Sequence, residues 1–391
     1  MSAAARLGDA RTIPEELWDF RQAIRRMATE RIAPRAAEID RTGEYPWDVR
    51  RLLAEHDVLG LPFDEGFGGT GTGTLMLQMA VEEIAEACAS SALILMVHEL
   101  GSLPIAMHGT EEQRRRILPL LASGEWSPAF ALSEPEAGSD PRAIRTRAVR
   151  DGGDWVINGQ KCWITNAGVA DYYVVFARTG GPGALSAFIV EKDRPGLEVG
   201  KLERKLGIKG SPTGSPSFTD VRVPAENLIG EEGKGLAVAL GTLERTRLGA
   251  AAQAVGIAQG AVDHANVYAG ERLAFGSPIA DLQGIQFKLA DMQTRTSAAR
   301  ELLYKACTLA DLSPTPDDLG MWTSMAKLFA SDTAMAVTVE AVQVLGGYGY
   351  VSDYPVERML RDAKITQIYE GTNEIQRLVI SRAMRRSSTA A

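Results

Sequence analysis

Apolar residues recur at helical spacing towards both ends of the chain and at strand spacing in its middle. Leu17, Phe20, Ile24 and Met27 share one helical face, as do Met76, Met79, Ile84 and Cys88. Prolines at 34, 46 and 62 divide this first zone, roughly Ile13–Trp126, into several helices, and Glu111–Leu121 reads as another short one. The texture changes between Ser127 and Gly235. There Trp155-Val156-Ile157 runs into Asn158-Gly159, which predicts a hairpin turn, because type I′ turns need positive φ at both central residues. Lys161–Thr165, Tyr172–Ala177, Leu185–Glu191 and Ser217–Val223 read as short strands between Gly, Pro and Asp turns. Their short links predict antiparallel pairing. Beyond Leu236 three long helical stretches follow, Leu236–Ala269, Leu282–Leu312 and Asp317–Leu345, of a length suited to an antiparallel bundle. The expected fold is therefore α+β, mainly α: an all-α N-terminal domain over 1–126, a middle antiparallel β domain over 127–235 and a C-terminal helical bundle over 236–391.

Composition narrows the function classes. The 391 residues suggest two or three domains. With 42 Lys+Arg against 50 Asp+Glu and a net charge of -8, the chain lacks the basic surplus of a nucleic-acid binder. Three cysteines and four histidines, scattered without ligand spacing, predict neither a disulfide framework nor a metal site. A reducing, cytoplasmic setting is expected. The N-terminal MSAAARLGDARTIPEE has no apolar leader core. The best apolar run, Ala92–Val97, falls far short of the ~20 residues of a membrane span, so none is expected.

One apparent motif is set aside. Gly66–Gly71 satisfies G-x-G-x-x-G with Glu86 further on, but Pro62 interrupts the preceding segment and no second strand follows the helix. A Gly-rich turn feeding a helix accounts for it.

Three segments carry the candidate chemistry. In Phe130–Asp140, small and hydroxyl residues around Gly138 would let backbone N–H groups approach an anionic ligand, although a polar turn reads the same way. In Lys161–Asn166, Trp163 can stack on a planar cofactor while Thr165 hydrogen-bonds it; a strand Trp is more often core. In Gln343–Glu374, Gly371 breaks a helix and Thr372 or Asn373 can cap the next. Glu370 then sits at a helix junction where its carboxylate can face a cleft; the commoner fate of a Glu is a solvated surface.

Together these segments resemble the acyl-CoA dehydrogenase family from Ile13 to Arg382. Ala131–Ala143 is similar to its first signature, Gln343–Gly349 with Asp353, Arg358 and Asp362 to its second, and Arg272–Gly276 with Leu282-Gln283 to its flavin-binding stretch. The resemblance implies an N-terminal helical domain, a middle β domain and a C-terminal four-helix bundle, with FAD as cofactor. It implies that Phe130, Leu132, Ser133, Gly138, Ser139, Trp163, Ile164 and Thr165 line the flavin. It assigns Arg272, Phe275, Leu282, Gln283, Gln343, Val344, Gly346 and Gly347 to the FAD of a neighbouring subunit, and has Thr372–Glu374 close over the cofactor. Glu370 matches the catalytic base. Ser139, Glu244, Arg247, Tyr369 and Gly371 are expected around the acyl-CoA, Arg247 near its CoA moiety. The implied reaction is α,β-dehydrogenation of an acyl-CoA, with electrons passed to an electron-transfer flavoprotein by a homotetramer. The position at which some relatives carry the base holds Thr246. The Arg of glutaryl-CoA dehydrogenases is missing near Ser90. A pocket floor near Leu93–Val97, shortened by Met96, favours a short, medium or branched acyl chain. The alternative on the same fold is a flavin oxidase or monooxygenase that uses dioxygen.

Overall fold

The computed structural model describes residues 13–181, 183–312 and 318–389. The stretch read above as lacking a leader thus falls, through Thr12, outside the described residues, as does Asp317. Helix α1 (Glu15–Met27) buries Ile24 and exposes its acidic start. Pro34 bends this segment without ending it. The chain passes through a π turn (Ala28–Ile32) and a 3-10 turn (Ala33–Arg35) into α2 (Ala36–Thr42), because a missing N–H is absorbed by a change of hydrogen-bond pitch. Pro46 directly precedes α3 (Trp47–Glu55). The Gly-rich stretch 66–71 is a turn entering α4 (Gly73–Ala87), and the described chain before it holds no strand. Extended backbone at Cys88 separates α4 from α5 (Ala89–His108). By length and composition α5 could cross a membrane, a correction to the shorter run expected at Ala92–Val97; Leu319–Tyr350 meets the same criterion. The window in α5 is 78% buried within the fold, so its all-round apolarity is that of a core helix. Helix α6 (Glu111–Ala122) opens on a capping box: Gln113 N donates to Thr110 Oγ1 (3.2 Å) and Thr110 N to Gln113 Oε1 (3.0 Å).

The middle of the chain forms an eight-stranded sheet from β1 (Pro128–Ala131), β2 (Arg147–Asp151), β3 (Asp154–Gln160), β5 (Tyr172–Arg178), β6 (Leu185–Glu191), β7 (Leu197–Val199), β9 (Pro216–Pro224) and β10 (Leu228–Ile229). Their order is β10-β6-β5-β2-β3-β9-β7, with β1 beside β5. A separate pair joins β4 (Ile164–Thr165) to β8 (Thr213–Gly214). Two expectations change here. The sheet is mixed, because β1 pairs with β5 in parallel, Pro128 opposite Tyr172. The long excursion between these strands brings the chain back in the same direction, which a short link could not do. Asn158-Gly159 does not turn the hairpin; both lie within β3, and the turn falls at Gly152-Gly153 between Asp151 and Asp154. Gly159 instead marks a register shift against β9, where a Cβ would lie 2.4 Å from Thr146 Oγ1.

The C-terminal region is built on α7 (Gly235–Glu271), α8 (Gln283–Ala310), α9 (Leu319–Leu345), α10 (Val356–Thr366) and α11 (Asn373–Thr389). Helix α7 packs on α4, α8 and α9. Its buried face from Leu248 to Ala265 is mostly Ala and Gly, which lets helices approach closely: a Cβ at Gly256 would lie 2.3 Å from Glu82 O on α4. Across the same seam Glu82 accepts from Arg21 (2.9 Å), Arg300 (2.8 Å) and the Tyr304 hydroxyl (2.8 Å), all at buried or half-buried atoms. Glu83 accepts from Arg21 (2.6 Å) and Arg25 (2.7 Å). The second signature ties the parts together: Asp362 accepts from Ile208 N, and Arg361 forks onto Asp40 at 2.6 and 2.9 Å. These contacts tie α10 to α2 and to the loop between β7 and β8.

Candidate active site

Two consecutive residues between α10 and α11 have left-handed backbone, Glu370 (φ 56°) and Gly371 (φ 87°). For Glu this conformation is strained, and such strain persists only where neighbours over-determine it. They do so here. Gln376 Nε2 donates to Glu370 O (3.1 Å) and Gly371 O (2.8 Å), and Lys327 Nζ donates to Gly371 O (2.8 Å) and Asn373 Oδ1 (2.9 Å). Arg247, in turn, donates to Gln376 Oε1 (3.1 Å) and to Ser324. Glycine suits 371 because its φ of 87° is one that L side chains rarely adopt. Burial pushes the Lys327 ammonium down to about 7, opposed by the Glu370 charge.

This backbone aims the half-buried Glu370 side chain at α7, where Thr246 Oγ1 donates to Glu370 Oε2 at 2.9 Å. Burial raises the carboxyl above its ordinary value, while the Thr246 hydrogen bond and the charges of Arg247 and Lys327 pull it back. A carboxylate poised this way can accept a proton from a weak carbon acid. Thr246→Val should remove a bond that favours the ionised form. Its expected result is an acidic limb of kcat/KM moved to higher pH and a rate at about pH 6 lower by roughly tenfold, the scale of one hydrogen bond to a charge. An unchanged pH profile would contradict that role for Thr246.

A second arrangement lies at the end of α9. A cavity of about 920 Å³ is lined by Tyr268, Arg272, Val344, Gly346, Gly347 and Tyr348, among others. Arg272 sits 5.5 Å from the Tyr348 ring centroid. Cβ atoms at Gly346 or Gly347 would meet nothing of this chain within 4 Å, so both present bare backbone to the cavity. A cationic fork beside open glycines suits a diphosphate. In the middle region, Trp163 is 60% exposed at φ 57°, held between buried Cys162 and Ile164. Cys162 N donates to Ser133 O (3.0 Å), which fixes the loop holding Ser133 beside the one holding Trp163. An exposed indole held on rigid backbone suits a large planar ring, so the residues present fit a flavin dinucleotide.

The expected site residues divide accordingly. Arg272, Val344, Gly346 and Gly347 share the cavity, which no middle-region residue lines. Phe275 (95% exposed), Gln283 and Gln343 are exposed and Leu282 is half-buried, and none of the four lines it. Ser133, Gly138, Ser139 and Thr165 remain accessible, whereas Ile164 is core. Phe130 and Leu132 are also buried, Phe130 with its ring 4.9 Å from Phe176, so their side chains pack the core. Arg247, expected near CoA, is buried, and Leu243 O, Ser324 and Gln376 accept from it. Tyr369 turns inward too, donating to Gln253. Glu244 lies against Gly320, where a Cβ would come within 2.4 Å of its Oε1, and not against Glu370. Thr372 Oγ1 accepts from Ile375 N (3.4 Å), and Glu374 is exposed. Sequence reading did not foresee Lys327 or Gln376 as supports of the junction; the lysine joins it across more than forty positions, and nothing local marks such a contact.

Family models match the chain in three consecutive pieces: the acyl-CoA dehydrogenase N-terminal domain over 14–125, the middle domain over 129–221 and the C-terminal domain over 233–385. An acyl-CoA dehydrogenase of Bacillus subtilis is 48% identical over 374 residues, 95% of this chain and 98% of that one. The solved butyryl-CoA dehydrogenase of Megasphaera elsdenii superposes with a TM-score of 0.92 at 42% identity, covering 95% and 98% of the two chains. A chain in a structure of the electron transferring flavoprotein of Acidaminococcus fermentans, concerned with flavin-based electron bifurcation, matches with a TM-score of 0.93 at 43% identity, with the same coverage.

Proposed function

Since the chain belongs to the acyl-CoA dehydrogenase family, we propose that Glu370 is the residue that takes the α-proton of its acyl-CoA substrate. The protein is an FAD-dependent oxidoreductase that carries out α,β-dehydrogenation of acyl-CoA thioesters. Bound FAD supplies the hydride acceptor. In this reading Trp163, Ser133 and Thr165 face the ring system of this chain's FAD, while Arg272, Gly346 and Gly347, lining the cavity, hold the diphosphate end of a neighbouring subunit's FAD. The observation that carries the assignment is the Glu370 carboxyl, raised by burial yet hydrogen-bonded to Thr246, on a backbone held by Gln376 and Lys327.

The chemical difficulty is the weak acidity of the α-C–H. Glu370 in its ionised form accepts that proton, and its own backbone N–H is the proposed donor to the thioester oxygen, where negative charge develops. Closing water out of the cleft raises the affinity of Glu370 for the proton it takes. Arg247 acts through Gln376, holding the junction rather than touching CoA. An electron-transfer flavoprotein is the proposed acceptor, supported by the similar chain found with such a protein. A homotetramer, with the cavity at Arg272 serving a neighbouring subunit, is supported by Phe275, 95% exposed and three residues on from Arg272. A role in cytoplasmic β-oxidation completes the reading, in keeping with three buried, unpaired cysteines.

The test is spectral. The purified protein should be yellow with about one FAD per chain. Its absorbance should bleach on adding one member of a panel of short, medium and branched acyl-CoAs, with turnover under ferrocenium and little under air. Arg272→Ala should lose FAD and oligomer together, because a ligand shared by two chains stabilises their assembly. A colourless protein that FAD cannot reconstitute would refute the reading, and fast turnover in air would move it to an oxidase.

A further inference from the structure

The inference that follows rests on the acyl-CoA dehydrogenase reading and concerns which acyl chain enters the cleft. Helix α7 presents Thr246 to Glu370, and Gly249 follows three residues on, about 4.5 Å further along the same side of the helix. With no side chain at 249, α5 and α4 approach this buried strip of α7 closely. A Cβ there would lie 3.3 Å from Met96 Cγ on α5 and 3.6 Å from Gln78 Oε1 on α4. The apolar floor expected near Leu93–Val97 therefore includes an amide.

That amide is incompletely satisfied. Gln78 is fully buried; its Nε2 donates to Glu99 Oε2 at 3.1 Å, and its Oε1 has no hydrogen-bond partner. Turning the amide over would only exchange the orphaned atom. A buried, unpaired amide oxygen is costly enough that its retention asks for a partner. Glu99, one turn beyond Met96 on α5, is only 6% exposed. Burial lifts its carboxyl to about 8, opposed by the Gln78 bond and reinforced by the charge of Glu370, so at neutral pH it is mostly a neutral acid with an O–H to donate. Arg245 and Asp311 are the other charged groups that act on it. An acceptor from α4 and a donor from α5 thus meet beside the strip of α7 that carries Thr246 and Gly249, near enough for the Glu370 charge to act on Glu99.

We propose that Gln78 and Glu99 form a distal polar subsite that selects acyl-CoAs bearing a hydroxyl on the acyl chain about three to four carbons beyond the α-carbon, a reach set by the ~4.5 Å helical offset. A hydroxyl donates to Gln78 Oε1 and accepts from Glu99, which satisfies both groups at once. A plain alkyl chain leaves the amide oxygen unpaired beside hydrocarbon, and sites built to hydrogen-bond a hydroxyl discriminate against analogues that lack it.

The experiment compares matched pairs on the FAD-loaded enzyme, pentanoyl-CoA with 5-hydroxypentanoyl-CoA and hexanoyl-CoA with 6-hydroxyhexanoyl-CoA, by kcat/KM under ferrocenium. Wild type should favour the hydroxylated member of at least one pair by about tenfold or more, the scale of one buried hydrogen bond. Gln78→Leu and Glu99→Leu should each collapse that ratio towards one. Glu99→Gln, neutral and still hydrogen-bonding, should keep most of it. The ratio within one variant is independent of how much protein folds, and FAD content with the melting temperature reports folding separately. Equal or better use of the plain chains by wild type overturns the proposal, as does a preference that survives both leucine variants. If neither member of any pair, nor any plain acyl-CoA, bleaches the flavin, the dehydrogenase reading fails and takes this subsite with it; brisk turnover of plain chains without preference removes the subsite alone.

Discussion

Glu370→Gln is expected to lower flavin reduction by an acyl-CoA by at least ~10³, near the usual range for losing a general base, while FAD and acyl-CoA still bind. The amide keeps the size and shape of the side chain and can still meet Thr246, so the backbone pair at 370 and 371 should stand. Only the proton acceptor is lost. Glu244→Gln should cost far less, because Glu244 lies against Gly320 on α9 and Thr246, not Glu244, touches the base. The wild-type pH profile should carry the same signature. Burial raises the Glu370 carboxyl, so the ionised base forms only as pH climbs through that raised value, and kcat/KM should rise with pH across it. Stopped-flow absorbance of the flavin measures both effects. Near wild-type reduction by Glu370→Gln, with loss in Glu244→Gln, would place the base on α7 instead.

The largest stability effect is expected from Glu82→Leu. The Glu82 carboxylate is fully buried and is shared by Arg21 of α1 and Arg300 of α8, with the Tyr304 hydroxyl on its second oxygen. Leucine fills much of the volume but strips a common counter-charge from two buried guanidiniums. Removing one partner from a buried ionic cluster costs about 3–5 kcal/mol, because the remaining charge stays desolvated. The urea midpoint of FAD-loaded protein should fall accordingly, and Glu82→Gln, which keeps an acceptor oxygen, should fall less. A midpoint for Glu82→Leu within error of wild type would show that Arg21 and Arg300 find water or other partners once the carboxylate is gone.

What was legible in the sequence was what short-range physics writes there. Helical spacing from Leu17 to Met27 and from Met76 to Ile84 gave real helices, since amphipathic burial repeats every turn whatever the partner. The junction at Glu370 was also legible, because a helix-breaking glycine followed by a capping Thr-Asn is a local signal. Local signals misled where a tertiary choice overrode them. Asn158-Gly159 has turn chemistry, yet Gly152-Gly153 closed the hairpin first and left Gly159 to admit Thr146 across the sheet. The antiparallel expectation failed at β1 and β5, whose pairing depends on where a long excursion returns.

By itself, then, the sequence determined the division into helical, strand and helical parts, the cluster of glycines near Arg272 and the placing of Glu370 at a helix junction. Only the tertiary structure decided what surrounds that carboxylate. Thr246 reaches it across 124 positions, Arg247 donates to the Gln376 that holds its backbone, and Gln78 donates to the buried Glu99. The reason is physical. Backbone preferences and periodic burial act over a few residues, so a sequence displays them. The pKa of a buried acid and the partner of an amide depend on which helix faces come together, and that is fixed by packing of the whole chain.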